Sequence, residues 1–448
     1  MKTTNHNEYL IQHLLRRAGF GYNQMDLDFF QNLGYGPSVD YLLYPDPHND
    51  NDLNDILSKE NFDFTNIENV KRWWLMKMAF TKNPLQEKIT LFWHGHFATS
   101  NAKVNQTPLM YFQNQTFRNK GLSHFKDLLQ AMLYDPAMIR WLDNQENNVG
   151  KPNENFSREV MELFTLGIGH YTEEDVKQGA RAFTGYHSRG FNFYFDKNQH
   201  DYGEKIYLEQ TGKFNGNDIV KILANQPQCA NFIAYKLCKF FASDKPSNSL
   251  VNDLALTYKK NNGNITTMLY TLFNHDEFKS PVCYRNKIKS PVEYAIGTIK
   301  TLEKKKITSD LPKYLASMGQ DLFYPPSVKG WDGGTAWIAS DTLLARYNFA
   351  NQIIQNKMDN LENDYILPTI LIKKYNLNTS NDLISYFSEL FIDNDMNPDI
   401  HQSFCNYLND NDNNNDIINF TSWDDLKLDA KLRGIIHLFL TSPMYNIA

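Results

Sequence analysis

NENFSREVMELFTLGIGHYTEEDVKQGARAFTGYHSRG, residues 153–190, decides how this chain of 448 residues is read. Its first half sets Phe156, Val160, Met161, Leu163, Phe164 and Leu166 almost all the way round a helix. Arg158, Glu159 and Glu162 nevertheless share the same two turns. Asn153 and Asn155 stand just ahead as N-cap residues. In the second half, Thr172 and Asp175 form a capping-box pair, with Glu173 and Glu174 favourably placed in the first turn. Val176, Ala180 and Phe183 give that helix a buried stripe, and Gly185 stops it. The short connection GIGHYT predicts a tight αα-hairpin.

The three charges in the first helix need an explanation. Arg158 and Glu162 are spaced i, i+4 and are expected to pair. Glu159 and Glu162 are spaced i, i+3, so two carboxylates lie side by side. A buried Arg–Glu clamp would explain Arg158 and one glutamate, and leave Glu159 without a local partner. A lone carboxylate in apolar surroundings costs several kcal/mol or takes a raised pKa. Paired carboxylates in different environments are the pattern of general acid–base chemistry or of metal ligation. The tight hairpin also brings Arg181 towards whatever Glu159 faces.

Outward from this block the periodicity stays helical. Ile265, Met268, Leu269, Leu272 and Phe273 follow the i, i+3, i+4, i+7, i+8 spacing. Pro291 suits a first helical turn, and Val292, Ala295, Ile296, Ile299 and Leu302 continue one stripe. Another helix is expected behind Asp341, carrying Leu343, Leu344, Tyr347 and Ile353. Only residues 190–208 look extended, with FNFYF and KIYL separated by KNQHDYGE, which predicts a hairpin or a long irregular loop. The expected fold is mainly α: a multi-helical globular protein in one continuous domain. Two helical lobes are expected, 1–225 carrying the His/Glu residues and 226–448 carrying WDGG.

Composition narrows the function classes. Hydrophobic residues at 42% and charged residues at 21% are those of an ordinary folded chain. A net charge of −6 with no basic tract argues against nucleic acid. Four scattered cysteines suit neither a disulfide framework nor a thiolate metal site. Without an apolar leader or a long apolar run, the chain as written is expected in the cytoplasm and away from membranes; it would be periplasmic if a leader has been lost. Aromatics at 14% either fill the core or line a groove that stacks flat ligands such as sugars. Three Asn/Asp-rich tracts, at 46–55, 393–399 and 409–416, mimic calcium loops. The second has Pro398, and the third Asn415, where the sharp-turn glycine belongs.

The central block resembles the signature of the uncharacterised bacterial family catalogued as domain of unknown function 1800. HLLRRAGFG at 13–21, FWHGHFATS at 92–100, HDYGEKIYL at 200–208 and FYPPSVKGWDGGTAWI at 323–338 agree in order, so the resemblance covers most of the chain. The resemblance implies no activity. It does imply a partner: members commonly lie beside genes for domain of unknown function 1501, a sulfatase-like family. It also implies which polar residues to pool. His96, Glu159, Glu162 and Arg181 are candidate catalytic residues, and Trp93, Asn155, Trp331 and Trp337 candidate substrate-binding ones. His96, Glu159, Glu162, His200 and Asp201 form a candidate oxygen/nitrogen set for a divalent metal ion. They are equally an acid, base and orienter without metal. Glu159, Glu162, His96, Arg181 and the His200-Asp201 doublet are expected to converge on one cavity, with Trp93, Trp331 or Trp337 in its wall.

Two readings follow. One is a hydrolase using the carboxylates and His96 on a polar, saccharide-containing substrate; the other is a non-catalytic helical partner or maturation factor for the sulfatase-like protein. A metal phosphohydrolase with a His-Asp doublet ranks third, because HDYG reads as a loop rather than a helix.

Overall fold

The computed structural model describes residues 6–355, 368–409 and 425–448. Among these the chain is mainly helical, and its strands form only two two-stranded antiparallel sheets. The Asn/Asp tract at 409–416 lies outside the described residues from position 410 onward. One buried apolar cluster runs from Ile11 to Tyr445, so residues on both sides of position 225 share a core.

The elements that place the sites are few. They are α1 (His6–Ala18), α2 (Pro84–His96), α3 (Asn155–Glu159), α4 (Glu173–Ala182), β1 (Tyr186–Arg189), β2 (Asn192–Phe195), β3 (Lys205–Tyr207), β4 (Gln210–Gly212), α5 (Pro227–Phe241), α6 (Ile265–Asn274), α7 (Pro291–Thr301) and α8 (Ser340–Ile354).

Helix α2 is the hub. It is buried on every side, from Leu85 to His96, so its polar groups must find partners inside the protein. Glu87 accepts from Trp74 Nε1 at 2.8 Å and from Arg118 Nε at 2.6 Å. Lys88 donates to the Gly19 carbonyl at 2.7 Å and to Glu293 on α7. His94 Nε2 accepts from the Phe323 amide at 3.0 Å. These bonds fix α2 against α1, α7 and the 323–338 segment.

Residues 153–190 fold as the expected helical hairpin. The capping box of Thr172 and Asp175 is present, and Val176, Ala180 and Phe183 are buried. Its first helix departs from regularity: α3 passes after Glu159 into a π-helical turn, Val160–Thr165. Thr165 Oγ1 donates to the Val160 carbonyl five residues back, at 2.6 Å.

Two expectations about neighbouring segments need correction. FNFYF and KIYL do not face each other. β1 pairs with β2, and β3 with β4, so the strands span 186–212. The turn between β3 and β4 has Leu208 and Glu209 at φ 45° and 65°, left-handed positions that neither residue type announces in sequence. In α8, Leu344 is exposed, and the fully buried Arg346 takes the inward position instead. Its Nη atoms donate to Asn446 Oδ1 at 2.9 Å and to the Lys289 carbonyl at 2.7 Å, which makes a buried guanidinium tolerable.

Candidate functional site

The last turn of α2, the outer stripe of α5 and the WDGG turn enclose a cavity of about 200 Å³. The turn reaches α2 because Gly330 has no side chain: a Cβ there would lie 2.4 Å from the Gly95 carbonyl oxygen, and its φ is 82°. That approach stands Trp331 beside His94, with ring centres 5.6 Å apart, and Trp331 and Trp337 line the cavity. Helix α5 buries Ile233, Ala234, Leu237 and Phe241. Its opposite stripe, carrying Lys236, Lys239 and Phe240, therefore lines the cavity.

The cavity is rich in cations. Lys236, Lys239, Lys287 and Lys329 face Asp244, Glu293 and Asp332. Each carboxylate is already engaged: Asp244 with Lys287 at 2.5 Å, Asp332 with Lys329 at 2.8 Å, and Glu293 with Lys88. Burial works to raise the Glu293 pKa, but the Lys88 ammonium and the Ser290 amide hold it down at about 2. Lys236 is different. Its ammonium lies 5.3 Å from the centre of the Phe232 ring, and no anion among the described residues pairs with it. Burial and the neighbouring Lys239 and Lys329 all push its pKa down.

His96 closes one wall. Its Nε2 lies 3.1 Å from the Phe164 carbonyl, so that nitrogen carries the proton and donates it. Nδ1 is then an acceptor, buried and without a partner. Burial, reinforced by the Lys236 ammonium, lowers its pKa to about 3. The ring is neutral at physiological pH.

The other expected site residues lie elsewhere. Trp93 is fully buried in the core, its Nε1 donating to the Gly121 carbonyl at 2.9 Å, and it does not line the cavity. Asn155 ties α3 to the preceding loop through the Leu142 carbonyl at 3.1 Å. Arg158 does not pair with Glu162. It reaches Glu173 at 2.7 Å across the hairpin and Glu154 at 3.2 Å one turn back. Glu162 accepts from the Tyr171 hydroxyl instead. Glu159 is half-buried, and burial together with Glu162 raises its pKa despite Arg158.

Arg181 is bound not to Glu159 but to Asp201 at 2.7 Å, Gln178 at 2.7 Å and the Glu204 carbonyl at 3.1 Å. His200 belongs to a separate cleft, with Nδ1 donating to the Thr184 carbonyl at 2.8 Å. The expected convergence on one cavity therefore fails: of the pooled residues, only His96, Trp331 and Trp337 meet there. The proposed metal set is dispersed with it. Among the described residues no three His, Cys, Asp or Glu side chains gather as a ligand set. Local compensation is the physical reason, since Arg158, Glu162 and Arg181 each found a partner nearby.

Sequence reasoning passed over Lys236 and Lys239. Their signal resembles that of the opening block: AYKLCKFF sets two lysines at i, i+3 in an otherwise apolar helix.

A family model described as "Protein of unknown function (DUF1800)" matches residues 13–447. No curated protein and no solved structure matches the chain. No described helix is long and apolar enough to cross a membrane.

Proposed function

We propose that this chain, which belongs to the DUF1800 family, binds an anionic, ring-bearing small molecule in the lysine-rimmed cavity. A charged saccharide is the class that suits it. Lys236 carries this reading: a half-buried ammonium, flanked by two further lysines and unpaired with any described anion, forms part of a wall that also holds two tryptophans. Withdrawing a cation from water beside like charges is unfavourable, and a bound anion reverses that sign. A hydrogen bond to a charged group contributes about 1.5–3 kcal/mol. A ring packed against Trp331 adds aromatic contact. The neutral His96 ring adds an uncharged wall, its unpartnered Nδ1 buried behind the cavity surface. With a pKa near 3 it is too weak a base to take a proton from water at neutral pH, which favours binding over acid–base work in this cavity. The cavity is small against the roughly 300–1,000 Å³ of drug-sized pockets, so it suits one ring and its charged substituent.

The test is titration calorimetry with glucose 6-sulfate, glucose 6-phosphate and glucuronate against neutral glucose. At least one anionic sugar should bind, and Lys236→Met should weaken it about tenfold, the loss of about 1.4 kcal/mol. Equal binding of glucose, or indifference to Lys236→Met, defeats the reading.

The hydrolase reading keeps one observation of its own. Glu159 carries a raised pKa beside Glu162, immediately before a π-helical turn, a distortion frequent at functional sites. Hydrolysis of chromogenic sulfate, phosphate or glycoside esters that Glu159→Gln abolishes would support it. If the anion is a sulfate ester, the sulfatase-like partner implied by the resemblance would act on the same ligand.

A further inference from the structure

The HDYG segment is held with unusual care for an exposed loop. Lys205 is almost wholly buried and donates through Nζ to the carbonyls of Asp201 at 2.6 Å and Gly203 at 2.9 Å. Arg181 Nε donates to Asp201 Oδ2 at 2.7 Å, and the Asp201 amide donates to Thr184 Oγ1 at 2.8 Å. Buried polar groups satisfied in this way rigidify what they hold. What they hold is His200 and Tyr202, which form one side of a surface cleft of about 520 Å³. The β1–β2 hairpin supplies Phe193 and Phe195, and Asn217 adds a polar group to the lining. None of these residues lines the lysine-rimmed cavity.

The rings form a corner rather than a flat platform. Phe195 meets His200 at 63° with centres 5.1 Å apart, and His200 meets Tyr202 at 86° with centres 4.7 Å apart. A pyranose lays its C–H face on one ring of such a corner, here the exposed Tyr202, and turns its hydroxyls to the polar groups beside it. Because His200 donates through Nδ1 to the Thr184 carbonyl, its Nε2 is left as an acceptor. No carboxylate lines the cleft, and its single lysine, Lys213, is exposed.

We propose that this cleft is a second binding site, separate from the lysine-rimmed cavity, that stacks neutral pyranose rings of a glycan on Tyr202 and Phe195. Tyr202 is 58% exposed, so truncating it removes a ring face without opening the core. The proposal does not depend on the reading of the cavity.

Affinity electrophoresis of the full chain in gels containing hydroxyethylcellulose, galactomannan or xylan tests it. At least one polysaccharide should retard the chain. Tyr202→Ala should weaken that retardation about tenfold and Tyr202→Phe by less than about twofold, because the ring face and not the hydroxyl does the stacking. Lys236→Met should leave it unchanged. No retardation by any of the three overturns the proposal, as does retardation that Tyr202→Ala leaves intact. Retardation lost with Lys236→Met but not with Tyr202→Ala puts the glycan in the cavity, so this site falls while the cavity reading stands. Capture of a proline-rich peptide with no glycan shift also overturns it.

Discussion

The hairpin of α3 and α4 and the lysine-rimmed cavity contain similar amounts of charge, handled in opposite ways. In the hairpin, Arg158 answers Glu173 and Glu154, Glu162 takes the Tyr171 hydroxyl, and Arg181 is committed to Asp201. In the cavity each carboxylate is matched with a cation, while Lys236 and Lys239 have no anionic partner among the described residues, and Lys236 faces only like charge. Charge that is locally neutralised holds structure together. Charge left unneutralised at the wall of a cavity is where a ligand would contribute most. The contrast therefore predicts that removing paired charges costs stability, and that removing the unpaired, half-buried Lys236 costs binding.

The largest effect should come from the most buried pair. Lys88→Met strands Glu293, whose pKa the ammonium holds at about 2, and breaking such a pair costs about 3–5 kcal/mol. Denaturant titration checks this. The sign with pH follows: because the folded pKa lies below the unfolded value of about 4.3, the Glu293 contribution is complete above that value. It is lost as pH falls towards 2, and a wild-type chain that shows no such acid loss would count against the pairing. Next comes Lys205→Met, which keeps the apolar stem but deprives two carbonyls of their donor. A cost of about 1–3 kcal/mol is expected, with the HDYG loop becoming susceptible to protease. Lys236→Met should do the reverse, changing stability by no more than about 0.5 kcal/mol while weakening the anionic ligand. A large loss of stability in that variant would make Lys236 structural and erase the contrast.

How much of this was legible beforehand depends on distance along the chain. Capping, turn glycines and helical stripes are local, so the mainly α fold, the hairpin, and the helices beginning at Ile265 and Pro291 were readable from spacing. The partners of charges are not local. Arg158 ignored the expected Glu162 for Glu173, fifteen residues on, because the hairpin closes that distance and the helical turn does not. Lys88 and Glu293 meet across 205 residues. Pooling polar residues by motif therefore found His96, Trp331 and Trp337 at the cavity but attached them to carboxylates that lie outside it. The lysines were missed because a lysine in a helix is ordinarily a solvated one, and only the packing of α5 against α2 and the WDGG turn half-buries Lys236.

Glu159 is the half-buried hairpin charge that breaks the rule, and its substitution is the finest test of the comparison. It carries a carboxylate in a half-buried setting, with Glu162 as a repelling neighbour and Arg158 committed elsewhere. Burial and then Glu162 raise its folded pKa above the unfolded value near 4.3. A raised carboxylate pKa means that the native state binds the proton more tightly, so stability falls as pH climbs from the unfolded value through the folded one. At neutral pH the charge is thus a small liability. Glu159→Gln should raise stability there by at most about 0.5 kcal/mol, and the gain should vanish below about pH 4, where wild type is itself protonated. Melting curves of the two proteins at pH 7 and pH 4 decide it. If Glu159→Gln lowers stability at pH 7, Glu159 is paired in solution like Arg158 and Glu162, and the hydrolase reading loses its one support. If stability rises, an uncompensated carboxylate has been kept at a cost beside a π-helical turn, and that residue is where a search for catalysis should begin.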